Sequence, residues 1–207
     1  LLSGYHNYKL TGEYKDSIAS TVGFVPFNYK TQQWAEKNDW KWRAMPINRG
    51  MLPEVLPAGS KLGKITATAA IETGIPEGLT LIASGSDKAC EVLGTGCTDA
   101  HTGSLSYGSL ATINIASDKY LEAIPFYPAY PGVVPGTFNV EMMVQRGYWM
   151  VSWFKQEFGL HETKQGSQQK VSPESLFDQL LAEVPAGSDG LMLQPYWSPS
   201  NGDGPET

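Results

Sequence analysis

Residues 79–115 constrain the fold more than any other part of the chain. They read LTLIASGSDKACEVLGTGCTDAHTGSLSYGSLATINI. The apolar run 79–83 is short and bounded by turn residues, as a buried strand would be. It ends in Gly85-Ser86-Asp87, and a helical pattern follows over 88–93. A glycine-rich turn then leads to a strand candidate over 105–115, with Gly108-Ser109 inside it. Strand, acidic tip, helix, turn and strand make α/β texture. A carboxylate at a strand end, beside flexible glycine backbone, is suited to moving a proton near a phosphate.

Asp87 carries two readings on the residues alone. As a general base it would project into a cleft and take a proton from a bound alcohol. As a helix N-cap it would only satisfy free backbone N–H groups ahead of Lys88. Lys88 either faces a phosphate or is solvated. Glu91, one turn on, either tunes Asp87 or is exposed. Gly108 is open in the same way. A glycine inside a strand marks a bulge or a close approach by ligand or backbone, and its neighbouring N–H groups can hold a phosphate with the Ser109 hydroxyl as a further donor. An ordinary hairpin with small residues explains the same letters.

Other chemistries find little support. Ser106 lacks a glycine two places before it, so it is not a nucleophile elbow. No phosphate-binding P-loop or dinucleotide fingerprint is present. His6, His101 and His161 are isolated, and with two cysteines, Cys90 and Cys97, they give no metal-ligand spacing. No metal ligand is therefore assigned. The cysteines read as reduced thiols of a cytoplasmic protein. Net charge is −6 with no basic cluster, which argues against a nucleic-acid or anionic-membrane partner. No apolar run is long enough to span a bilayer. Apolar content of 41% is enough for a globular core in 207 residues. The chain starts without an initiator Met and ends in a loop-like run, so it reads as a piece cut from a longer protein.

In order along the chain, residues 5–10 read as the tail of a helix ended by Gly12. Asp16-Ser17 is expected to cap a short helix over 18–24. Trp34, Trp40 and Trp42 are expected to pack helices together, with ligand stacking as the other reading. Residues 51–63 look extended and loop-like, 65–73 helical, and 74–78 a turn. Beyond the central stretch, 138–144 reads as a strand and 148–158 as a helix. Residues 165–172 read as polar and mobile. Ser172-Pro173 opens a helix running to about Glu183, and 190–193 reads as a short strand. The domain boundary is expected at 98–103.

Several segments together resemble the FGGY carbohydrate kinases, particularly the xylulokinase and gluconokinase branch. Tyr8-Lys9-Leu10-Thr11-Gly12-Glu13 with Asp16 and Ala19-Ser20 is similar to one family block. Leu52-Pro53, Gly59, Gly63, Ile65-Thr66, Ala69-Ala70 and Thr73-Gly74-Ile75-Pro76 with Gly78 are similar to a second. Gly85-Ser86-Asp87 and Ser106-Tyr107-Gly108-Ser109 are similar to two more, and 147–154 and Gln194-Pro195-Tyr196-Trp197 to weaker ones.

The resemblance implies the actin-like ATPase (ribonuclease H-like) fold: two α/β domains with a deep cleft between them, both incomplete here. Residues 1–98 would close the sugar-binding domain, and 99–207 would open the nucleotide-binding domain. It implies an ATP-dependent kinase acting on a sugar, sugar acid or polyol, with Asp87 as general base, Gly108 and Ser109 near the nucleotide phosphates, and ATP with Mg2+ as cofactors. It implies a small-molecule sugar or polyol as partner, and leaves a homo-oligomer open.

Departures from the family pattern occur at Leu110, at Gly147 (one place from the family's glycine) and at Ser198-Pro199-Ser200. Leu110 and the altered loop after Tyr196 leave room for a non-catalytic sugar- or nucleotide-binding module on the same fold, and at Gly147 no nucleotide contact is carried over. The fragment itself is expected to be inactive, or nearly so.

Overall fold

A computed structural model of the chain describes residues 1–108, 110–144 and 147–194. Ser109 and the Pro195-Tyr196-Trp197 part of the last block lie outside the described residues. The chain divides into two compact units. The first comprises Leu1–Ser104 and Ile113–Met142; the second comprises Leu105–Thr112 and the described residues from Met143 on.

The first unit opens with helix α1, Leu2–Thr11. Gly12 ends it as expected, at φ 76°, with its N–H donating to the Tyr8 carbonyl at 2.7 Å. Strand β1 (Lys15–Ser17) comes next, where a helix cap was expected. Asp16 sits in the strand, and Ser17 alone caps a single 3-10 turn, Ile18–Ser20. The longer helix fails because β-branched Ile18, Thr21 and Val22 disfavour it and Gly23 breaks away at φ 71°.

A short hairpin follows, β2 (Phe27–Asn28) with β3 (Gln33–Trp34). It carries the core of this unit: Ile18, Phe27, Trp34 and Val55, with Tyr29 and Leu52 packed against them. Phe27 meets Trp34 edge-on at 5.3 Å and Tyr29 at 5.1 Å. The Trp34 indole N–H donates to the Pro53 carbonyl at 2.8 Å. The three tryptophans therefore do not form one helix-packing group. Trp34 is core on a strand, Trp40 is 60% exposed beside the short helix α2 (Lys41–Ala44), and Trp42 donates to the carbonyls of Ala35 and Glu36.

Strand β4 (Glu54–Leu56) runs parallel to β1, with Asp16 opposite Val55. Strand β5 (Lys61–Lys64) lies against α1 so closely that a Cβ on Gly63 would sit 2.7 Å from Thr11 Cβ. Helix α3 (Ala67–Thr73) is capped by Thr66 and ends at Gly74, φ 76°. Strand β6 (Thr80–Ile82) pairs antiparallel with β5. It was expected to be buried. Instead Leu79 is 54% and Ile82 46% exposed, because the sheet has two strands among the described residues.

After β6 the chain enters helix α4, Asp87–Gly94. The 105–115 run is two strands rather than one, β7 (Gly103–Tyr107) and β8 (Ala111–Ser117). Three residues separate them, which leaves room only for an antiparallel hairpin. With β9 (Tyr130–Pro131) and β10 (Phe138–Val144) they form a sheet of order β7-β8-β10-β9. Strand β10 has the bounds expected for it.

In the second unit, α5 (Trp149–Phe158) matches the expected helix. The polar stretch expected to be mobile belongs largely to α6, Leu160–Gln169. Glu, Lys and Gln are good helix formers, and tight packing of Gly166 under Val171 and Pro173 holds the end in place. Helix α7 (Pro173–Leu181) has Ser172 as cap and Pro173 in its first turn, as expected. Residues 190–193 do not form the expected strand. The chain makes a 3-10 turn, Ser188–Gly190, and continues without a neighbouring strand to bond among the described residues. No described helix is long and apolar enough to cross a membrane.

Candidate active site

Strand β6 stops at Ile82, and four residues carry the chain to α4. Ser86 is extended (φ −61°, ψ 162°), and its hydroxyl accepts from the Ala89 N–H at 3.2 Å. Ser86 is thus the cap, and the cap reading of Asp87 falls. The serine directly before the acid was the signal for this, since Ser and Asp compete for the same position. Asp87 becomes the first helical residue, exposed, at the positive end of the helix. Its Oδ1 accepts from the Lys88 N–H at 2.7 Å, and it joins no ion pair among the described residues. Lys88 does not stand alone as a phosphate-facing cation. Its Nζ pairs with Glu91 Oε2 at 2.6 Å.

The four-residue loop is held on several sides. The Ala83 N–H donates to the Ser60 carbonyl, and the Ala83 carbonyl accepts from Gly59, each at 2.8 Å. The Ser84 carbonyl accepts from the Ser17 hydroxyl. The Ser86 N–H donates to the Ala19 carbonyl at 2.9 Å. Gly85 has no room for a side chain: a Cβ there would lie 2.8 Å from Val133 Cγ2 and 3.3 Å from Ala19 Cβ.

The second candidate lies in the other unit. Gly108 follows β7 directly, at the hairpin turn, and apart from its chain neighbours no described residue has an atom within 4 Å of where its Cβ would be. Its backbone is open on that side, as close approach by a ligand requires. The Gly108 carbonyl accepts from the Tyr148 N–H at 2.9 Å, which ties the turn to the start of α5. Buried Gly147 is seated against the same turn. A Cβ there would collide with the Gly108 carbonyl and come within 2.8 Å of the Leu110 carbonyl. The sequence marks Gly147 only as standing one place from the family's glycine; the close seat against the turn comes from the structure. The Thr112 hydroxyl, two residues past the turn, is buried with no hydrogen-bond partner.

Among the described residues no group of three or more His, Cys, Asp or Glu side chains could hold a metal ion. Both cysteines are free thiols, as their number and spacing suggested. Cys97 is buried and donates to the Thr102 carbonyl at 2.8 Å, whereas Cys90 is exposed on α4.

No protein-family model matches the chain. A sugar kinase of Escherichia coli K12, YgcE, itself uncharacterized, is 33% identical over 197 residues, which cover 94% of this chain and 40% of that protein. Over nearly its whole length the chain is similar to sugar kinases. A xylulose kinase of Lactococcus lactis is 24% identical over 93% of this chain and 36% of its own length. Gluconate kinase from Lactobacillus acidophilus superposes with a TM-score of 0.74 at 21% identity, over 94% of this chain and 37% of that one. The fold is therefore the actin-like ATPase fold of these kinases, and the chain spans roughly two fifths or less of the length of the relatives it matches.

Proposed function

We propose that the intact protein transfers the γ-phosphoryl group of ATP to a hydroxyl of a sugar, sugar acid or polyol, with Asp87 as the general base. The observation that carries this reading is the exposed Asp87 carboxylate at the head of α4, directly after a loop held from several sides, in a chain whose relatives are named as sugar kinases. An acceptor hydroxyl within hydrogen-bond reach gives its proton to Asp87 as its oxygen bonds to the γ-phosphorus. The bond from that phosphorus to the βγ-bridging oxygen breaks, and ADP leaves. Such transfer depends on positioning and charge neutralisation more than on covalent protein chemistry.

In this reading Gly108 and Ser109 lie against the nucleotide phosphates. The open backbone side of Gly108 supports that role. Mg2+ would enter with the nucleotide. The described side chains form no cage for it, so no step is assigned to it. The change from sugar-binding to nucleotide-binding domain is placed at 98/99, between α4 and β7. The acceptor is a small molecule, nucleic acid and membrane have no part in the reaction, and the enzyme works in the cytoplasm.

The test is ADP release by the intact protein with D-xylulose, D-gluconate or glycerol as acceptor. Asp87→Asn should lower acceptor-dependent turnover by about 10²–10⁴-fold. ATP turnover that ignores the acceptor would replace the kinase with a hydrolase. Acceptor binding without any turnover would favour the binding module.

A further inference from the structure

We propose that buried Ser17 is a positioning residue that fixes the loop leading into Asp87; this rests on the reading of Asp87 as the base. The Ser84 carbonyl and the Ser86 N–H lie between the end of β6 and the start of α4, so neither element supplies their partners. Backbone groups in such a place must be paired. Both partners come from one segment, more than sixty positions earlier in the chain. The Ser17 hydroxyl donates to the Ser84 carbonyl and accepts from the Ala19 N–H, and the Ala19 carbonyl takes the Ser86 N–H.

The clamp is itself anchored. Ser17 is 1% exposed, and its N–H donates to Asp16 Oδ1 at 2.8 Å. The Asp16 carboxylate, also 1% exposed, accepts from the Ser3 hydroxyl at 2.6 Å and from Asn7 Nδ2 at 3.3 Å, both on α1. Asp16 and Ser17 also sit opposite Val55 and Leu56 in the parallel β1–β4 pair. A continuous set of hydrogen bonds thus runs from α1 through Asp16 and Ser17 to the residue before Asp87. Van der Waals contact backs it at Gly85, whose missing side chain lets Ala19 and Val133 close over the loop. Proton transfer needs the base within hydrogen-bond reach of the hydroxyl. A displacement of about 1 Å at a reacting group can cost about 10²-fold in rate.

The test compares Ser17→Ala, Gly85→Ala and Asp87→Asn in the intact protein. ADP release is measured with D-xylulose, D-gluconate and glycerol, and backbone amide exchange is followed at Ser86. Ser17→Ala should lower kcat per folded molecule by about 10–100-fold, with KM for ATP unchanged. The Ser86 amide should exchange faster. Gly85→Ala keeps the hydroxyl and pushes the same loop off its seat, so it should lower kcat in the same way. Wild-type kcat in Ser17→Ala, a loss confined to folded yield, or unchanged exchange at Ser86 would each overturn the clamp. Full activity in Asp87→Asn would instead overturn the reading of the base, whatever Ser17→Ala does.

Discussion

The two units solve the problem of burial differently. The first wraps aromatic and aliphatic side chains into a closed interior: Phe27 is 1% exposed, with Ile18, Trp34 and Val55 around it. In the second, Leu176 is the only buried apolar side chain among the described residues. Helices α5 and α7 instead line an apolar cavity of about 420 Å³ with Trp153, Phe154, Phe177 and Leu181, and Phe158, Leu160 and Leu181 are each about two-thirds exposed. Covering apolar surface is the main favourable term in folding. The first unit therefore holds its catalytic candidate on a rigid base, while the second gains less from its own packing.

Removing one ring from each unit tests this contrast most directly. Phe27→Ala should lower unfolding stability by about 3–5 kcal/mol, the cost of a large cavity in a closed core. Phe158→Ala should cost about 1 kcal/mol or less, because that ring already sees solvent. Equal losses in a urea titration would erase the distinction.

A smaller effect is expected where the second unit is tightly packed. Gly147→Ala must push against the backbone of Gly108 and Leu110, so it should cost about 1–3 kcal/mol and disturb the hairpin turn. Wild-type stability in this variant would mean that the turn yields easily, and the contrast would sharpen.

The mildest effect concerns alkali. Burial pushes the Tyr29 phenol up to about 12, and burial likewise raises Tyr127 and Tyr130, with the Glu141 carboxylate adding to both. These rings belong to the first unit, with Tyr29 and Tyr130 at 5.2 Å. A phenol whose folded value exceeds its unfolded one stabilises fully below pH 10. That contribution falls away as pH climbs from 10 toward 12, since the unfolded chain loses its protons first. The melting temperature should therefore drop across this window, and Tyr29→Phe should flatten part of the drop.

Features governed by local chemistry were legible in the sequence. Gly12, Gly74 and Ser172-Pro173 end or begin helices where their residue types say they should. Strand β10 has the expected bounds, and Asp87 stands at a strand-to-helix junction as the pattern suggested. What escaped depends on partners remote in sequence. The Asp-Ser pair at 16–17 suggests a helix cap, but pairing with β4 and hydrogen bonds to α1 draw Asp16 into a strand. Polar letters over 165–172 suggested a loop, yet packing of Gly159 against Phe177 holds α6 beside α7. The Ser17–Ser84 bond joins positions 67 apart, which no window of local pattern can anticipate.

The unequal fate of the two sulfurs has a practical use. Cys97 is shielded and engaged with a carbonyl, whereas Cys90 stands in solvent three residues after Asp87. A thiol-directed dye would mark one position, on the same short helix as the proposed base. Its emission would then report on the surroundings of that helix, without a single engineered change to the chain.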